Sequence, residues 1–278
     1  MNLIDTHQHL WELERFPCSW CAGIPLLNRS FTLSDYRLAA AGLGIVKTVF
    51  VECDVDEPRA LDEARHVQTL ASGCPLIAGI VAGVRPEHPG FRRHLEQLAG
   101  LPQVRGVRRV LHTQPDEVSR SGMFVENLRL LPEFGYSFDL CVLSRQLPLA
   151  IAIVKACPGV PFILDHCGVP DVKGRAFDPW RDRIRALARF PNVVCKVSGL
   201  VAYADPGRWS VDQLRPWFDH CLECFGWDRL IWGGDWPVCT QVAALSEWVG
   251  AALSLAGGAT REQQAAFFQH NAERVYRI

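Results

Sequence analysis

The chain has no surplus of positive charge. Its 29 lysines and arginines stand against 30 aspartates and glutamates, for a formal net charge of −1. Nucleic acid and anionic membranes demand a basic excess, so neither is an expected partner. Long apolar runs are missing too: nothing approaches the roughly 20 residues of a membrane-spanning helix. The N-terminal stretch lacks the charged and then apolar segments of a secretory leader, so the expected compartment is the cytoplasm. There is no internal repeat, low-complexity tract or linker, and a single domain over residues 1–278 is expected. No glycine-rich phosphate turn follows an early strand, which removes the best mark of an open dinucleotide-binding sheet.

Cysteine, by contrast, is plentiful, at 11 residues. Cys141, Cys157, Cys167 and Cys195 sit in apolar surroundings, where cysteine behaves as a small hydrophobe. An odd count, the expected cytoplasmic setting and a long chain argue against a disulfide framework. Two Cys-x-x-Cys pairs occur, Cys18/Cys21 and Cys221/Cys224. About 200 residues separate them and the second lies in a helical pattern, so a four-sulfur zinc site is not expected.

Strand-like and helix-like segments alternate along the chain. The first strand begins at Leu3 and carries His7 and His9 near its end. Alternate residues of a strand share a face, so the two imidazoles converge. The irregular stretch 11–31 holds Trp11 and Trp20 and suits a pocket wall better than a disordered loop. Thr32-x-x-Asp35 reads as a capping box opening a helix to about residue 41. Further strands are expected over 46–51, 76–81, 104–111, 136–141, 161–166, 193–197 and 229–232. Helical spacing predicts helices from Pro58, over 90–99, 122–132, 145–156 and 178–189, after the Ser210-x-x-Gln213 cap, and in two closing segments. The last of these runs from Thr260-x-x-Gln263 to near Asn271. Eight strands, each followed by a helix, imply an α/β fold of the (β/α)8 TIM-barrel type, with an open doubly wound sheet as the alternative.

Barrel chemistry comes from the C-terminal ends of the strands. Those ends carry His7 and His9, Glu52, Arg108 with His112, Asp139, His166 and Asp235. Buried strand ends have no need of such groups unless a partner awaits them. Asp235 follows two glycines, which let the backbone turn sharply and a ligand approach, and it is the candidate general base. A turn aspartate is its plainer reading, and a satisfied core histidine that of His166. Arg108 either grips a carboxylate or hydroxyls, or is held in a buried ion pair with Glu52 or Asp139. Trp11, Trp20 and Trp236 are candidates for a sugar-facing wall or for core.

Four motifs draw these residues together: Ile4-Asp5-Thr6-His7-Gln8-His9, Leu164-Asp165-His166-Cys167-Gly168, Gly233-Gly234-Asp235-Trp236-Pro237 and Asn271-Ala272-Glu273-Arg274-Val275-Tyr276. Together they resemble the amidohydrolase-2 group of the amidohydrolase superfamily, in particular its branch of fuconolactonases, rhamnonolactonases and pyrone-dicarboxylate lactonases. The resemblance spans essentially the whole chain. Gly106-Val107-Arg108-Arg109 and Asp235-Trp236-Pro237 are its most particular marks. It implies a barrel in which water opens a lactone. His7, His9 and His166, with Asp235, would ligate one divalent metal, zinc being the first choice, or the histidines would polarise the carbonyl directly. Asp235 would be the base and Arg108 would hold the substrate, with His112, Trp11, Trp236, Glu52 and Asp139 as further substrate contacts. The fourth strand ends without a lysine or glutamate and the fifth without a histidine, so a two-metal centre is not expected, and catalysis without metal stays open.

The expected reaction is hydrolysis of a sugar lactone, a small-molecule substrate. A metal-dependent decarboxylase of a small unsaturated or aromatic acid is the second reading, and a catalytically silent binding barrel the third. Monomer and homodimer remain equally open.

Overall fold

The computed structural model describes residues 1–278. Eight parallel strands follow one another in sequence order around one sheet. They are β1 (Leu3–Gln8), β2 (Ile45–Val51), β3 (Ile77–Gly83), β4 (Val104–Val110), β5 (Ser137–Cys141), β6 (Phe162–Leu164), β7 (Val193–Val197) and β8 (Leu230–Trp232). β3, β6 and β8 are wholly apolar or glycine, and the others mix valine, isoleucine, leucine and phenylalanine with a few buried polar residues, as strands covered on both faces allow. Val49, Val51, Val81, Ile163, Val194 and Ile231 pack together with Tyr276 as one small core. Two residues beyond Ile163 and Val194, the same strand faces carry Asp165 and Lys196. The larger core lies between the strands and the helices.

The β8–β1 seam is closed by a staple rather than a regular ladder. The Thr6 hydroxyl donates to the Trp232 carbonyl at 2.6 Å. The Asp235 amide donates to the His7 carbonyl at 2.7 Å, and the His9 amide to that of Trp236 at 2.8 Å.

The helices are α1 (Leu33–Ala39), α2 (Ala60–Gly73), α3 (Phe91–Leu98), α4 (Asp116–Arg120), α5 (Gly122–Leu128), α6 (Leu131–Phe134), α7 (Leu147–Ala156), α8 (Trp180–Leu187), α9 (Val211–Phe225), α10 (Leu245–Leu255), α11 (Arg261–Ala265) and α12 (Asn271–Tyr276). The capping box of α1 forms as the sequence indicates, and the Ser210 hydroxyl accepts from the Gln213 amide at the start of α9.

Two helical expectations need correction. The single helix over 122–132 is two short ones, α5, which Ser121 caps, and α6, which opens with Pro132 in its first turn. The last helix does not stop near Asn271. It passes through one wide turn, Ala266–His270, and runs on to Tyr276. Asn271 is no terminator: its side-chain amide donates to the carbonyls of Trp227 and Leu230 and ties this helix to β8. No helix is long and apolar enough to cross a membrane.

Candidate active site

His7 closes on His9 at the C-terminal end of β1, their Nε2 atoms 3.2 Å apart. His9 Nδ1 lies 2.8 Å from the Val51 carbonyl, which only accepts, so Nδ1 holds the proton and Nε2 presents a lone pair. One proton on His7 Nε2, or one cation between the rings, then satisfies the pair. Asp235 Oδ1 stands 3.8 Å from His7 Nε2 and 3.6 Å from His9 Nε2. Donor atoms around a tetrahedral zinc ion at about 2.1 Å are roughly 3.4 Å apart, so this triangle suits one ion. The ligand atoms of His7, His166 and Asp235 also lie within 4.8 Å of one another. Asp235 Oδ2 is buried and has no hydrogen-bond partner in the protein, a vacancy in bonding that such an ion or a substrate proton would fill. The donor set therefore fits one divalent metal.

Local backbone geometry places these groups. Both Asp235 and His166 sit at positive φ, 55° and 53°, where non-glycine residues are strained and where functional residues concentrate. The two glycines before Asp235 are dictated by crowding. A Cβ on Gly233 would lie 2.7 Å from His7 Cβ, and one on Gly234 would lie 2.5 Å from Asp5 Oδ2. Asp5 is the local organiser: its Oδ1 accepts from the amides of His7 and Gly234, and its Oδ2 from the Tyr36 hydroxyl. His166 Nδ1 lies 2.9 Å from Ser198 Oγ, and its ring centroid 4.4 Å from that of His7.

Beneath this cluster lies a fully buried ionic layer. Lys196 Nζ is 2.7 Å from Asp139 Oδ2, 2.9 Å from Asp165 Oδ1 and 3.4 Å from His7 Nδ1. The Tyr276 hydroxyl adds a bond to Asp139 at 3.1 Å. Burial alone would discharge Lys196, yet Asp139 and Asp165 hold its pKa well above the usual lysine value. Burial opposes ionisation of Asp165 as well, but Lys196, His7 and Arg108 keep its pKa well below the usual carboxylate range. Burial wins at Asp139, which rises to about 6 despite Lys196.

Arg108 points inward as its strand phase implies and lines the cavity, held in the buried ion pair with Glu52 that is one reading of it, with Asp165 rather than Asp139 as the second carboxylate. Its Nε donates to Glu52 Oε1 at 2.7 Å, Nη2 to the Glu52 carbonyl at 2.6 Å and Nη1 to Asp165 at 3.3 Å. Arg109 faces the other way and pairs with Glu87.

A cavity of about 390 Å³ opens above the cluster. His9, His166, Asp235, Arg108, His112 and Tyr203 give it a polar side, and Trp20, Ile24, Val110 and Val238 an apolar one. His112 accepts from the Cys141 thiol at 3.3 Å; burial, then His166 and Arg108, push its pKa down to about 4, so it is neutral at pH 7.

Four residues expected at the substrate are not in this lining. Trp11 and Trp236 are buried one layer behind, Trp11 edge-on to Trp20, and Trp236 edge-on to Phe31 and Tyr36. Trp20 alone of the three faces the cavity, held by its indole bond to the Cys53 carbonyl at 2.8 Å. Glu52 is consumed by Arg108 and the Asp54 amide. Asp139 pairs in register with Arg108 but points into the layer below.

Tyr203 is a lining residue that the sequence does not announce. It lies in the loop after β7 without a motif, and its hydroxyl makes no hydrogen bond within the protein. Burial, then Asp235, raise its pKa well above the usual phenol value, so it stays a proton-bearing donor. Lys196 and Asp165 are visible as letters, but their roles depend on strand phase.

The family model described as amidohydrolase matches residues 4–278. An L-fucono-1,5-lactonase from Burkholderia multivorans is 30% identical, over 99% of this chain and 96% of that protein. An L-rhamnono-gamma-lactonase from Scheffersomyces stipitis is 22% identical, over 100% and 99%. The crystal structure of a Burkholderia multivorans amidohydrolase with bound zinc superposes with a TM-score of 0.91 at 27% identity, each chain covered in full.

Proposed function

The chain belongs to the amidohydrolase family, and from that premise we propose that it hydrolyses a sugar lactone to the open-chain acid. The observation that carries this reading is Asp235, a carboxylate with one unpartnered oxygen, set among three imidazoles at the floor of a cavity that fits a small ring. Asp235 takes a proton from the water that adds to the lactone carbonyl carbon. His166 and the Tyr203 hydroxyl face the position of the developing oxyanion, and donors so placed are often worth about 3–4 kcal/mol each; His9, with its lone pair on Nε2, would act there as a metal ligand. As the bond from the carbonyl carbon to the ring oxygen breaks, Asp235 returns the proton to that oxygen. The product carboxylic acid then ionises and acidifies the medium. His7, His9, His166 and Asp235 would hold a divalent metal, which when bound supplies Lewis-acid polarisation and a more acidic water.

Charge favours a neutral substrate. Arg108 is the one cationic side chain in the lining, and Glu52 and Asp165 already balance it. Asp54 and Asp235 add acidity. Among the side chains a carboxylate-bearing substrate finds no free countercharge, so a decarboxylase would have to draw it from the bound metal. The lactonase relatives support the same substrate class.

The test is acid release from a panel of neutral sugar lactones, followed with a pH indicator before and after chelation. Turnover of one or more is expected, and Asp235→Ala is expected to lower kcat at least about 100-fold with the fold retained. Loss on chelation with recovery on adding zinc assigns the histidines as ligands; full activity in metal-free protein assigns the polarising role to His166 and Tyr203 as direct donors. No acid release from any lactone, with release of carbon dioxide from an unsaturated acid, would overturn the reading.

A further inference from the structure

Three thiols meet on the outer side of the barrel wall. Cys167 lies in the turn after β6, Cys195 on β7 and Cys221 on α9, and none is exposed to solvent. Their sulfurs all lie within 4.8 Å of one another. Cys167 also donates to the Lys196 carbonyl at 3.7 Å. Cys224, the other half of the Cys221 pair, is turned away, its sulfur 3.4 Å from His220 Nε2. The cluster thus draws on three separate elements rather than on the local Cys-x-x-Cys motif. Burial disfavours a thiolate here. Contacts within the trio pull the Cys195 pKa below the ordinary value and push those of Cys167 and Cys221 well above it.

We propose that Cys167, Cys195 and Cys221 form a three-sulfur site for a single thiophilic ion, and that it prefers a trivalent ion such as arsenic(III) to a divalent one. Three sulfurs within this distance match the ligand number of a three-coordinate soft centre. Charge sets the preference. No lysine, arginine or histidine donates to any of the three sulfurs, and Arg229, whose field reaches Cys195, is spent on the carbonyls of Ala188, Phe190 and Val193, so three thiolates around a divalent ion would leave a net negative charge in a largely apolar core. Around a trivalent ion the charges cancel. With arsenous acid the chemistry balances without redox: three As–S bonds form, three As–O bonds break, and the three thiol protons leave with the hydroxyls as three waters. The site is independent of the lactone chemistry and sits one residue from His166.

Because the sulfurs are buried, the ion loads as the chain folds. The full-length protein would be refolded from denaturant with arsenite, and separately with cadmium, then desalted and weighed by native mass spectrometry. One arsenic per chain is expected, with the loss of three hydrogens, and X-ray absorption should show a shell of three sulfurs. Cadmium is expected at lower occupancy at equal concentration. Cys195→Ala and Cys221→Ala should abolish arsenic retention, whereas Cys18→Ala and Cys224→Ala should keep it. Absence of arsenic, a shell with fewer than three sulfurs, retention in Cys195→Ala, or loss in Cys18→Ala would each overturn the site. Cadmium occupancy equal to or above that of arsenic would overturn the charge preference. The absorption measurement on the unmodified chain decides the matter even if a core variant fails to fold.

Discussion

Glu63 on α2 is a carboxylic acid placed where a carboxylate is costly. Its Oε1 accepts from the Cys53 amide, while its Oε2 is buried without a partner. Burial, reinforced by Glu52, raises its pKa from 4.5 to about 8. The folded chain therefore keeps a proton that the unfolded chain releases, and Glu63 costs stability progressively as pH rises from 4.5 to about 8. Glu63→Gln should gain on the parent through that window, by on the order of 2 kcal/mol at about pH 8 and by little at about pH 4. Urea unfolding at the two pH values checks this, and an equal difference at both would rule it out. Lys196 makes the opposite case. Lys196→Met strands two buried carboxylates and is expected to cost roughly 3–5 kcal/mol, part of which Asp139→Asn should restore. Stability unchanged in the single variant would show that the ionic layer contributes nothing net. At this scale the sequence is informative where a residue type is rare at a strand end, as with His7, His9, His166 and Asp235. It is silent on Tyr203, whose loop has no period to reveal its direction. It misleads at Trp11 and Trp236, because the indole suited to a wall is equally suited to the layer behind one.

Among the elements, all eight strands are legible in the sequence, although β1 and β4 carry several polar residues, and their order follows from strict alternation with helices. Helix ends are less legible. The pattern over 122–132 breaks before Pro132 into two short helices, and Asn271 looks like a terminator while serving as an anchor to β8. The segment after β8 shows how tightly an element's end is specified. A Cβ on Gly234 would press on Asp5 Oδ2 at 2.5 Å and on Leu245 Cδ1 at 2.9 Å. Asp5 cannot yield without releasing the His7 amide and the Tyr36 hydroxyl. Gly234→Ala is therefore expected to displace Asp235, lowering kcat by about 10- to 100-fold. The stability cost of such overpacking is about 1–3 kcal/mol. Steady-state rates and thermal unfolding on one preparation separate the two effects, and a variant with unchanged kcat would show that the loop tolerates the methyl group.

For the molecule as a whole, the seam is the distinctive feature. Where β8 meets β1, side chains and a few amides replace the ladder, and the candidate catalytic residues occupy both banks. Thr6→Val removes the hydroxyl bond to the buried Trp232 carbonyl and should cost about 1–3 kcal/mol. Its amide exchange should quicken at His9 and Asp235 ahead of the β4–β5 ladder; uniform exchange would mean that the seam is no weaker than the rest of the barrel. Because Asp235 arrives 226 residues after His9, a chain growing from its N-terminus holds its three imidazoles without their carboxylate until its final strand emerges. Catalytic competence is thus the last property the chain acquires during synthesis, and turnover reports the completed barrel rather than any part of it.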